Sequence, residues 1–67
     1  DVSENVTAKE VTNLRNRPSV ESPSEVIAEL KNGEVIVRTG VSNEGWSRVE
    51  YNGQTLYCIS SYLEVVQ

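Results

Sequence analysis

Histidine is absent from this chain, aspartate occurs once, at position 1, and the single cysteine, Cys58, sits in an apolar segment. A thiol becomes a nucleophile when a neighbouring base takes its proton, and no such base accompanies Cys58 in the sequence. Nine glutamates remain as possible acid–base groups. They are spread along loops and polar strand positions, which describes a solvated surface rather than a carboxylate pair. Zinc lacks its usual nitrogen and sulfur ligands, and glutamates alone do not make a calcium loop. The expectation is a chain with no catalytic residues, no metal site and no cofactor. What remains is non-covalent chemistry. The stretch GWSRVEYNGQTLYC, residues 45–58, holds the only tryptophan and two of the three tyrosines. Clustered rings beside Arg48 are suited to stacking and cation–π contact.

Positioning those rings is a matter of strand parity. Asn52-Gly53 is a strong signal for a two-residue type I′ hairpin turn. With those two residues as the loop, Tyr51 opposes Gln54, Val49 opposes Leu56, Arg48 opposes Tyr57, Ser47 opposes Cys58 and Trp46 opposes Ile59. Opposed residues share a face and alternate along each strand. One face then carries Ser47, Val49, Tyr51, Leu56 and Cys58, an apolar set fit for a small core. The other carries Trp46, Arg48, Glu50, Thr55, Tyr57 and Ile59, whose charges belong in water. The ring strip is therefore expected on the outer side, as a recognition surface, the alternative being that Trp46 packs under the SNEG loop and the strip merely covers the barrel end. Arg48–Tyr57 is expected first as a stabilising cross-strand pair. Cys58 is expected to be a small buried hydrophobe.

Elsewhere the chain reads as short strands separated by turns. Residues 1–5 are polar and expected to fray, leaving residues 6–67 as the folded domain. VTAKEVTNL, residues 6–14, alternates imperfectly because Val11 breaks the parity of Val6, Ala8 and Leu14, which predicts one bulged strand. Residues 15–25 contain both prolines and form a long ordered loop. Arg15 is expected to anchor that loop through backbone hydrogen bonds, and Asn13 to form a turn. VIAEL and EVIVRTGV flank Asn32-Gly33, SNEG is a loop, SSY a tight or 3₁₀ turn, and LEVV a last strand. Eleven valines and three isoleucines against two alanines favour pleated sheet over helix. The fold class is all-β, a small barrel or sandwich of five to six short antiparallel strands with the long loop after the first.

Length and charge bound the partners. Sixty-seven residues make one domain, and such a chain buries only about 60% of its unfolded surface. The net charge of −4 and the scattered Lys and Arg argue against nucleic acid. No apolar run approaches the ~20 residues of a membrane span, so no membrane insertion is expected. A monomer is expected. The chain begins without an initiator methionine, and it is read as a domain of a longer protein.

Four segments in order, NLRNRPS, VIAELKNGEVIVR, GWSRVEYNGQT and LYCISSYL, resemble the bacterial Src-homology-3-like (SH3b) domain over residues 6–66. Two positions depart from that pattern. Arg17 stands where the family usually has glycine before proline, which would strain the backbone if φ must be positive, and Leu56 stands where it usually has glycine before tyrosine. The resemblance implies an SH3-like barrel, extracellular or cell-wall location, and a non-catalytic accessory role in a larger exported protein such as a wall hydrolase. It further implies that Trp46, Ile59 and Tyr62 line a shallow groove walled by the residue 15–25 loop. Peptidoglycan, through its stem peptide or cross-bridge, is the leading ligand. Trp46 and Tyr62 would stack on it, Tyr57 would extend the ring surface, and Arg17 and Glu21 would hydrogen-bond its polar groups. The alternative is a protein-interaction module that docks on a partner peptide or on a neighbouring domain of the same protein.

Overall fold

The computed structural model describes residues 2–66. Seven strands form one antiparallel sheet: β1 (Glu4–Ala8), β2 (Val11–Arg15), β3 (Val26–Lys31), β4 (Ile36–Val41), β5 (Trp46–Tyr51), β6 (Gln54–Ile59) and β7 (Leu63–Val65). Their order across the sheet is β3-β2-β6-β5-β4-β1-β7. The sheet curls into a half-barrel around Val6, Leu14, Leu30, Val49, Leu56 and Cys58, each no more than 2% exposed. A 3₁₀ turn, Ser60–Tyr62, links β6 to β7. The expected small SH3-like barrel is present, with seven strands instead of five or six.

The added strand comes from residues 6–14. In place of one bulged strand the chain forms β1 and β2 with a bend at Lys9 and Glu10. β1 pairs with β4 and β7, whereas β2 pairs with β3 and β6. Chains that pass from one side of a curled sheet to the other turn the corner at a bend or bulge, and here the bend separates the two strands. Val6, Ala8, Thr12 and Leu14 keep one parity and all point inward, while Val11 is 53% exposed. The parity break is therefore a residue turned outward. Pairing starts at Glu4, within the segment expected to fray: the Arg38 guanidinium donates to Glu4 Oε1 from Nη2 at 2.6 Å and Nε at 3.0 Å. Asn13 lies inside β2 opposite Glu29 rather than in a turn.

The β5–β6 hairpin has the register expected from its turn, from Tyr51 opposite Gln54 through Trp46 opposite Ile59. Asn52 and Gly53 have φ of 49° and 80°, the left-handed pair a type I′ turn requires. Ser47, Val49, Leu56 and Cys58 are buried on the inner face, and Tyr51 packs partly against them. Leu56, at the position where the related pattern has glycine, contributes core volume.

β4 carries a bulge. Arg38 opposes Val49 and Gly40 opposes Arg48, leaving Thr39 as the extra residue. Arg48 reaches across to hold it, donating from Nε to Thr39 Oγ1 at 3.0 Å and from Nη2 to the Thr39 carbonyl at 2.9 Å. The guanidinium lies over Gly40, where a Cβ would stand 3.0 Å from Nη2 and 3.1 Å from Cζ. Glycine suits that position because of the close approach of a side chain, not because of its dihedrals.

Candidate functional site

On the outer face, β6 sits between β5 and β2, and cross-strand partners build two rows. Trp46 opposes Ile59 in the first. In the second, Arg48 opposes Tyr57 across β5–β6 and Arg15 opposes Tyr57 across β2–β6. Trp46, Arg48, Tyr57, Ile59 and Arg15 are all half-buried. Beyond them Glu50 is exposed and accepts a hydrogen bond from Thr55 Oγ1 at 2.8 Å.

Two loops frame these rows. The turn before β5 is drawn in by Ser42, whose N–H donates to the Trp46 carbonyl at 2.8 Å and whose Oγ accepts from the Glu44 N–H at 3.0 Å. Gly45 has φ of 92°, and its carbonyl accepts from the Ser60 N–H at 2.8 Å. The backbone at the open end of the hairpin, where Trp46 stands, is thus tied to Ser42 before it and to Ser60 beyond β6. The long loop between β2 and β3 is closed by Asn16, whose N–H donates to the Glu25 carbonyl at 3.1 Å and whose Oδ1 accepts the Glu25 N–H at 2.9 Å. Arg15 is in register with Val26 at the far end of the loop, but its side chain makes no hydrogen bond to the loop, and the side-chain clasp comes from its neighbour. The amide of Asn16 is short enough to fold back on its own loop, and the guanidinium of Arg15 points onto the outer face. Arg17 is also not strained, because Asn52 is the only described non-glycine residue with positive φ.

Three shallow depressions follow one another across this face. The first, about 210 Å³, lies between Pro18, Val41, Trp46, Arg48 and Tyr57. The second, about 300 Å³, is lined by Arg15, Val20, Trp46, Ile59 and Tyr62 together with Val11 and Asn13. The third, about 300 Å³, lies between Lys9, Glu10, Val11 and Tyr62. Trp46 is common to the first and second, and Val11 and Tyr62 to the second and third, so the three adjoin one another and make the stations of one candidate trough. Trp46, Ile59 and Tyr62 come together in the middle station and Tyr57 in the first. Arg17 and Glu21 lie in the exposed part of the long loop and line none of the three. The residue 15–25 loop, expected as one wall, supplies Arg15 and Val20 to the second depression and Pro18 to the first, whereas sequence reasoning passed over Val11. The outward parity of Val11 was the available signal.

Beneath the face, polar groups close one end of the half-barrel. Arg38 Nη1 donates to Ser47 Oγ at 3.4 Å, and the hydroxyls of Ser47 and Ser60 are 2.6 Å apart. Cys58 is fully buried. Burial pushes its thiol up to about 11, against an opposing pull from the Arg38 charge. A thiol so strongly disfavoured as thiolate is a packing group. Among the described residues no cluster of His, Cys, Asp and Glu side chains is arranged to hold a metal ion.

Comparison with known families agrees with this geometry. A family model described as bacterial SH3 domain matches residues 10–64. The chain belongs to the bacterial SH3 domain family. The match runs from the bend before β2 to β7 and takes in the whole trough except Lys9. This is a family of binding domains, not catalytic in themselves. No curated protein and no solved structure matches the chain significantly. As a bacterial SH3 domain, the chain is a binding module, and its outer trough is the candidate binding site.

Proposed function

We propose that this bacterial SH3 domain is the targeting module of a larger exported protein and holds a peptide portion of peptidoglycan in its trough. The reading is carried by one observation: Trp46, Ile59 and Tyr62 line a single open depression on the outer sheet face. Apolar and aromatic surface left in water beside polar groups is how shallow recognition sites are built. Trp46 acts as the ridge between stations, so a chain laid along the trough crosses the indole face. Tyr62, 52% exposed, supplies the second ring, and Tyr57 flanks the first station.

The test is a ¹H–¹⁵N NMR titration of the domain with soluble peptidoglycan fragments. Shifts concentrated at Trp46, Tyr57, Ile59 and Tyr62 are expected. Shifts elsewhere, or none up to millimolar fragment, overturn wall binding through this surface.

A docking role on a neighbouring domain draws on the net charge of −4, which opposes approach to anionic wall polymers. It is distinguished by adding that neighbouring domain in place of the fragments and finding the same resonances moved.

A further inference from the structure

The charge along the trough is opposite in sign to that of the molecule. The chain has six basic residues and a net charge of −4, yet Arg48, Arg15 and Lys9 stand one at each successive station. Glu10 is the single carboxylate lining any of the three. Arg48 and Arg15 flank Tyr57 from its two neighbouring strands, which sets their backbones about 10 Å apart at ordinary strand spacing. Arg48 is oriented by Thr39. Arg15 is half-buried, and neither it nor Lys9 enters a salt bridge or side-chain hydrogen bond among the described residues. By contrast the nearby Glu50 is engaged by Thr55. A partly desolvated guanidinium without a protein partner has its forked donors free to pair with a carboxylate.

We infer that the trough recognises an extended acidic peptide, whose carboxylates meet Arg15 and Lys9 while its apolar side chains lie on Val11, Val20, Trp46 and Ile59. The inference rests on the trough being the binding surface. Its new content is the charge and shape of the ligand. A polyphosphate chain fits less well, because the cations are few, spaced apart and interleaved with apolar walls. Phosphate polymers are bound by clustered Lys and Arg. An extended peptide turns every second side chain to the same face, so a carboxylate and an apolar group two residues apart can meet neighbouring stations.

The experiment uses three blocked heptapeptides of the pattern Val-Ser-X-Ser-Val-Ser-X, with X glutamate, glutamine or lysine so that valine and X share one face of the extended chain, and an oligomer of glycerol phosphate. Binding is read from the Trp46 fluorescence and from ¹⁵N shifts at low salt. The glutamate peptide is expected to perturb Trp46 and Arg15 and to bind about tenfold more tightly than the glutamine peptide. That preference should fall on raising salt. Arg15→Gln should abolish it and Arg15→Lys largely retain it, with amide spectra confirming that both variants are folded. Equal binding of the glutamate and glutamine peptides at Trp46 overturns the acidic-ligand assignment and leaves the trough as a binding surface. Tighter binding of the lysine peptide or of glycerol phosphate overturns it as well. No response to the glutamate peptide also overturns it, and the fragment titration then decides separately whether the trough binds peptidoglycan.

Discussion

At the scale of single residues, the same side-chain type does different work according to the face it occupies. Arg38 turns inward and its charge is met by Glu4, Arg48 folds onto the β4 bulge, and Arg15 is left facing the trough. Sequence separates none of these roles, since Arg38 and Glu4 are 34 positions apart. Cys58 was legible: its parity opposite Ser47 placed it inside. Its burial has a consequence for stability. The thiol holds its proton up to about pH 11 in the folded chain against 9.0 when unperturbed. Below the lower value both states are protonated and nothing is lost. Between the two values the unfolded chain releases a proton that the folded chain keeps, so stability falls as pH rises. Cys58→Val is therefore expected to abolish about 2–3 kcal/mol of alkaline destabilisation, measured as the difference in urea unfolding free energy between about pH 8 and pH 11. Equal alkaline losses in both proteins would contradict this account.

At the scale of elements, the hairpin was the most legible part because Asn52-Gly53 fixes its register locally and everything on it follows by alternation. The β1–β2 break was not, because a bend forced by sheet curvature needs neither proline nor glycine, and Lys9-Glu10 carries no such mark. The β4 bulge was equally hidden. Its cause is a side chain from the next strand, and nothing within VRTGV announces that Arg48 lies over Gly40. That arrangement predicts a specific coupling. Gly40→Ala should cost about 1–2 kcal/mol by pushing the guanidinium off Thr39. In an Arg48→Ala background the same substitution should cost little, so the double-mutant cycle gives a coupling of about 1 kcal/mol. Independent, additive losses would mean that Arg48 does not clamp the bulge.

At the scale of the whole molecule, a 67-residue chain has too little interior to bury every ring, and its core is mostly aliphatic. The rings outside that core are concentrated on one face, where two loops and three shallow depressions meet. Alternation from Asn52-Gly53 put Trp46, Tyr57 and Ile59 on one side of the hairpin, in the register the sheet has, and the bacterial SH3 family match establishes a binding domain. The account depends on the indole being reachable from solvent and covered by ligand. Because Trp46 is the only tryptophan, its fluorescence reports on that point alone. Acrylamide quenching of the folded domain, with and without soluble peptidoglycan fragments, is the most direct measurement. The prediction is quenching at a substantial fraction of the unfolded chain's value that falls as fragment saturates the trough. Negligible quenching in the free domain, or quenching unchanged by a fragment that binds, would contradict it.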